Sequence, residues 1–191
     1  VLERIPREAE RHDSARLALD EILALIERAH AEGLDVVRLH TGDPSIYGAI
    51  AEQMDALDRL GIDYDVVPGV SSFQAAAAAL RVELTVPEIS QTVILSRAEG
   101  RTPVPDSQTL EHLARTKSTL CLFLSVHMLG KVVSELVPFY GEDCPAAVVY
   151  HASWPDEQVV RGTLGSVADR VEEEGISRTA MITVGHALSR N

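Results

Sequence analysis

The chain has 191 residues, 46% of them hydrophobic, a formal net charge of −12 and two cysteines. That apolar content can bury a core in one domain or two small ones, the acidic balance argues against non-specific nucleic-acid binding, which needs a basic face, and no apolar run approaches the roughly 20 residues that span a bilayer. Residues 1–5 carry no signal-peptide pattern, so the expected location is the cytoplasm, and Cys121 and Cys144, without a paired Cys-x-x-Cys spacing, indicate neither a metal site nor a disulfide framework.

Val1 is an unusual start, and residues 1–13 are charged without clean periodicity, which reads as an irregular lead-in. From Ser14 to Ala31 the apolar positions Ala18, Ile22, Ile26 and Ala29 follow helical spacing, and Gly33 is placed to end that helix. The short run Val36-Val37-Arg38-Leu39 predicts a buried parallel strand. It opens into His40-Thr41-Gly42-Asp43-Pro44-Ser45-Ile46-Tyr47-Gly48, the stretch around which the rest is organised. Gly42 permits a tight turn or a close approach of ligand to backbone, Asp43 is a good N-cap, and Pro44 suits the first helical position. Ile46, Ile50, Met54 and Leu57 then predict a helix from about 44 to 60, stopped by Gly61. A turn beyond the carboxyl end of a strand is where open α/β sheets bind small ligands; two readings of Asp43 stay open, a helix cap alone or a ligand-facing carboxylate.

Residues 62–67 read as another strand, turned by Pro68-Gly69, after which Ser71 or Ser72 can cap a helix whose alanines allow close packing. Those two hydroxyls form a second turn open to either reading, capping or ligand contact. Residues 84–88 are the expected domain hinge, because Pro87 cannot continue a ladder. Residues 92–95 predict a strand, and 97–106 a loop carrying Arg97 and Arg101, which are either solvated or clamp carboxylates.

Ser107 is placed to cap a short helix over 108–115, and 119–124 is a continuous apolar strand followed by Ser125-Val126-His127. His127 opens a helix carrying Leu129, Val132, Val133 and Leu136, where it either caps or meets an acidic substrate. Residues 146–150 predict a further strand with a loop to Glu157 in which Trp154 either walls a pocket or packs a turn. A charged helix over 167–174 and a last strand over 181–185 complete the chain. Strands alternating with helices throughout give an α/β protein with largely parallel pairing.

Three blocks in order, 40–48, then Val67-Pro68-Gly69-Val70-Ser71-Ser72-Phe73, then Tyr150-His151-Ala152-Ser153-Trp154-Pro155-Asp156-Glu157, resemble the precorrin methyltransferases of the tetrapyrrole methyltransferase family. The first two blocks are shared across that family; the Ser153–Glu157 block is more particular to its C11 enzymes, which act on precorrin-4 or its cobalt form. The likeness covers nearly the whole chain.

The resemblance implies two α/β domains, here 1–87 and 88–191, with the cofactor between them, and a homodimer. It also implies methyl transfer from S-adenosylmethionine to a ring carbon of a tetrapyrrole, with no metal and no covalent nucleophile. Carried over by motif, cofactor contacts fall on Thr41, Gly42, Asp43, Ile46, Ser71, Ser72, Leu124, Ala152, Thr179 and Ala180, mostly through backbone groups or apolar packing. A substrate rich in carboxylates meets a chain of net charge −12, so cations must be gathered locally where it docks; Arg97, Arg101 and His127 are the candidates. No residue stands out as a general base. Family members begin with a strand and a Gly-x-Gly-Pro-Gly-Asp turn on the substrate side, and this sequence shows neither, so it is expected to start inside its first domain. The alternatives are methylation at another ring position, or a binding module that retains the cofactor site without turnover.

Overall fold

A computed structural model describes residues 4–189; Val1 lies outside them. The chain divides into two compact units, Val1–Gly69 and Val70–Asn191, and the 84–88 stretch lies within the second.

The first unit is helical where it is regular. α1 (Leu19–Ala31) places Asp20 and Glu21 in its first turn and Arg28 and His30 in its last, the charge order that complements the helix dipole. α2 (Ala51–Leu60) ends at Gly61, whose left-handed φ of 66° closes the C-cap. The helix expected from residue 44 therefore begins seven residues later. Tyr47 and Ala49 adopt φ values of 56° and 52°, and two left-handed residues so close together stop helical propagation. The strands expected over 36–39 and 62–67 are not strands here either. Both lack regular secondary structure and join no ladder, and Val37 and Val67 are 78% and 77% exposed. A strand exists only with a partner for its backbone groups, and no β-ladder forms in this unit among the described residues.

The second unit is a five-stranded sheet flanked by helices. α3 (Ser72–Leu80) precedes β1 (Val93–Arg97), α4 (Leu110–Ala114), β2 (Thr119–Phe123), α5 (Leu129–Tyr140), β3 (Pro145–Tyr150), β4 (Gln158–Thr163), α6 (Val167–Glu173) and β5 (Ala180–Val184). The strand order is β1-β2-β5-β3-β4. Only β1 and β2 pair in parallel; β5 runs antiparallel between β2 and β3, and β3 and β4 form a hairpin. The expectation of largely parallel pairing fails because β4, over 158–163 where the sequence predicts no strand, returns directly from β3 through a short connection, and β5 runs antiparallel to both of its neighbours. The cap of α4 is Thr109, whose hydroxyl accepts from the His112 amide, and Ser107 sits in the preceding 3-10 turn.

Alternation sorts the strand side chains to two faces. Leu120, Leu122, Val148, Ile182 and Val184 join Leu110, Val132, Leu136, Val167 and Val171 of α4, α5 and α6 in one core. α3 packs against β3 and β5 outside that cluster, burying Ala76 and Leu80 completely. Burial of the large aliphatic side chains is worth about 1.5–3 kcal/mol each, which makes this unit the stable half of the chain.

Candidate functional site

In the first unit the carboxylate of Asp43 joins two of the sequence blocks. Its Oδ1 accepts from the Ser45 amide at 2.9 Å and from the Ser45 hydroxyl, and its Oδ2 accepts from the Gly69 amide at 2.9 Å. Those hydrogen bonds, the Ser45 hydroxyl first and then the Gly69 amide, hold its carboxyl below the ordinary carboxylate pKa. Asp43 thus caps no long helix; it fixes the 41–45 turn against Pro68-Gly69. The fit needs glycine at 69, since a Cβ there would lie 2.1 Å from the Gly42 carbonyl oxygen. Thr41 and Gly42 are exposed beside it and Ile46 is half-buried. His40, partly buried and facing the Arg38 charge, has its pKa lowered by burial first and by Arg38 second, so it is neutral at pH 7.

In the second unit the strand register gathers the remaining expected residues at one end of the sheet. Tyr150 pairs with Ala180, Leu122 with Ile182, and Arg97 with Phe123. Hence Leu124, Ala152 and Thr179-Ala180 all emerge at the same edge. Leu124, His151 and Thr179 hold φ values of 53°, 46° and 54°, and Ser153 holds 73°. Left-handed backbone costs about 1–2 kcal/mol for a side-chain-bearing residue, and such strain concentrates at ligand clamps. Leu124 consequently points an apolar side chain outward, 68% exposed, beside a buried Ser125. The Ser125 hydroxyl donates to the Phe123 carbonyl at 2.6 Å and accepts from the Ala98 amide at 2.8 Å, tying the ends of β1 and β2 together.

Ser71 is the buried N-cap of α3, with its amide donating to Gln74 Oε1 at 3.1 Å, and Ser72 beside it is exposed. At the other terminus of α3, the Leu80 carbonyl accepts from the Arg161 guanidinium.

Of the expected cations, Arg97 is engaged with its own loop: its guanidinium donates to the carbonyls of Thr102 and Pro103, each at 2.9 Å. It shapes the loop that carries Arg101. Arg101 and His127 are exposed.

The sequence reading missed a cluster in the β3–β4 connection. His151 Nδ1 lies 2.8 Å from Asp156 Oδ2, and the His151 ring stacks on Tyr150 with centroids 3.7 Å apart and meets Trp154 at 4.4 Å. The Glu157 carboxylate accepts from the Ser153 amide at 2.6 Å. Every one of these residues stands in the third sequence block, yet a five-residue spacing across an irregular turn leaves no periodic signal. Trp154 packs the turn through His151 while remaining 53% exposed.

At its strand end the second unit presents backbone groups, the outward apolar side chain of Leu124 and a fixed left-handed backbone. The two thiols do not compete for chemistry: burial pushes Cys121 up to about 12 and Cys144 up to about 11, so neither forms a nucleophilic thiolate at neutral pH. No group of three or more metal-ligating side chains occurs among the described residues. Two surface depressions, of about 600 Å³ beside Leu19 and Asp55 and about 560 Å³ beside Arg161 and Glu173, contain none of the expected contacts.

The sequence profile of the Tetrapyrrole (Corrin/Porphyrin) Methylases matches residues 1–168. The cobalt-precorrin-4 C(11)-methyltransferase of Methanocaldococcus jannaschii is 54% identical over 190 residues, which is 99% of this chain and 73% of the relative. Among solved structures, the cobalamin biosynthetic enzyme cobalt precorrin-4 methyltransferase, CbiF, superposes with a TM-score of 0.92 at 49% identity, over 94% of this chain and 76% of that one. The uroporphyrin-III C-methyltransferase of Thermus thermophilus, solved with S-adenosyl homocysteine, superposes with a TM-score of 0.70 at 29% identity, over 90% of this chain and 74% of that one. On the strength of the matched profile, the identity across almost its whole length and the shared fold, the chain belongs to the tetrapyrrole (corrin/porphyrin) methylase family.

Proposed function

We propose that this chain catalyses methyl transfer from S-adenosylmethionine to C11 of precorrin-4 or cobalt-precorrin-4, a step of corrin-ring synthesis. The observation that carries the reading is the convergence of Leu124, Ala152 and Thr179-Ala180 on one strained sheet edge, in a chain 54% identical to a relative named for that reaction.

The sulfonium, when bound, supplies a methyl group that is already electrophilic. The protein's task is to position and to exclude water, and alignment alone can account for roughly 7–11 kcal/mol of a barrier. In the first unit, Thr41, Gly42, Asp43 and Ile46 are the proposed contacts, with Asp43 holding the turn in shape. In the second, Ser71, Ser72, Leu124, Ala152, Thr179 and Ala180 take that role. Arg101 and His127 are the proposed partners of substrate carboxylates, and Arg97 orders the loop that presents Arg101. No helix among the described residues is long and apolar enough to cross a membrane, and we place the reaction in the cytoplasm, in a homodimer.

Calorimetric titration with S-adenosylhomocysteine, followed by mass spectrometry and NMR of the product made from precorrin-4, tests the reading. Saturable binding and a methyl group on C11 are expected; methylation at another carbon overturns the C11 assignment, and absence of binding overturns the methyltransferase reading. Ser72→Leu is expected to keep the circular dichroism spectrum and weaken binding by about tenfold or more, equivalent to about 1.4 kcal/mol. Unchanged affinity would remove Ser72 from the contacts.

A further inference from the structure

Methylation of a carbon conjugated to ring nitrogens leaves a charge to be discharged. As the nucleophilic carbon takes the methyl group, the sulfonium becomes a neutral thioether and the positive charge passes to the macrocycle. It is removed when a ring N–H gives its proton to a base. Resting on the methyl-transfer reading above, we propose that His151 is that base, receiving the proton at Nε2, and that Asp156 is its positioning residue.

The geometry supplies each requirement. The Asp156 carboxylate accepts only, so a neutral His151 ring 2.8 Å away must carry its hydrogen on Nδ1, which leaves the Nε2 lone pair to accept. Among the described residues no protein hydrogen bond to Nε2 is formed, while the side chain is only 15% exposed, so its orientation is held and its free nitrogen is not spent on structure. The ring stacks on Tyr150 at an interplanar angle of 16° and is met by Trp154 at 37°. The His151 amide donates to the Thr179 carbonyl at 3.2 Å, which ties the residue to the start of β5. Its neighbours Ala152, Thr179 and Ala180 are proposed donor contacts, so the base stands at the edge where the methyl group arrives.

The His151 backbone holds a φ of 46°, and its carbonyl accepts from the Trp154 amide at 2.8 Å, so the residue is fixed within a closed turn. Once protonated, the imidazolium is neutralised by Asp156, the arrangement by which a carboxylate holds a histidine in the useful tautomer and stabilises the charge it acquires. The proton then passes to water through the exposed side of the loop.

Histidine ¹⁵N NMR of the parent protein and single-turnover methyl transfer by variants test the proposal together. The neutral His151 ring is expected as the Nδ1–H tautomer, and Asp156→Asn is expected to shift it toward Nε2–H. His151→Ala should retain its circular dichroism spectrum and its affinity for S-adenosylhomocysteine, transfer methyl roughly 10²- to 10⁴-fold more slowly, and recover part of that rate when imidazole is added. Nε2–H as the resting tautomer of the parent overturns the assignment whatever the turnover. So does a His151→Ala rate equal to the parent's, or a loss that imidazole leaves untouched, which would mark the ring as a brace for the hairpin loop. A parent that binds S-adenosylhomocysteine but methylates no tetrapyrrole overturns the reaction reading instead, and the tautomer measurement still judges the dyad.

Discussion

The Asp43 carboxylate accepts a hydrogen bond from the backbone amide of Gly69, 26 residues further along the chain, at 2.9 Å. With its other oxygen on Ser45, it spans the first two motif blocks with one side chain. Its pKa is depressed, so the charged form is the one the fold favours. The associated stability is present above the ordinary value of 3.8 and disappears as pH falls through the lowered folded value. Asp43→Asn should remove that part of the acid sensitivity and weaken S-adenosylhomocysteine binding, because one amide oxygen cannot serve both Ser45 and Gly69. Urea titrations between pH 3 and 7, with the Asp43 carboxyl followed by ¹³C NMR, give the check; an ordinary carboxyl titration would refute the strapping role.

Gly69 and Gly130 should respond to alanine with opposite signs. At Gly69 a Cβ would strike the Gly42 carbonyl oxygen at 2.1 Å, and separating two backbones costs about 1–3 kcal/mol. At Gly130, in the first turn of α5, nothing lies within 4 Å, and alanine should stabilise the helix by about 0.5–1 kcal/mol. Paired denaturation curves of the two variants decide it, and a stable Gly69→Ala would mean that the 42–69 contact can open freely.

Ser125→Ala should destabilise the second unit by about 1–3 kcal/mol, since the Ala98 amide then stays buried without an acceptor. Hydrogen exchange at Ala98 should accelerate more than at the centre of β2. Equal effects at both places would show that Ser125 does not specifically join the two strand ends.

Cys121 and Cys144 should resist iodoacetamide at pH 8 in the native protein and react together on unfolding, because burial raises both thiol pKa values, to about 12 and about 11. The sign for stability is opposite to that of Asp43. A raised thiol pKa favours folding below the ordinary value of 9.0 and loses that contribution as pH climbs toward the folded one. Rapid native alkylation of either residue would contradict its burial.

The sequence by itself determined what local chemistry can dictate. Gly61 ends α2 where the reading placed it, the apolar runs at 119–124, 146–150 and 181–185 became the central strands, and the three motif blocks named the family. Turn residues and continuous apolar runs act through neighbours in the chain, so their consequences can be read along it.

Tertiary structure decided what depends on partners. Residues 36–39 carry a strand's composition yet form none, because a ladder needs a second backbone. The direction of β5, inserted antiparallel between β2 and β3, follows from how the sheet closes and not from any feature of 180–184. Asp43 reads as a cap in sequence and is a strap in space, because Gly69 supplies an amide that no local spacing announces. The pairing of His151 with Asp156 likewise arises only when the β3–β4 turn folds back on itself and sets the two side chains 2.8 Å apart.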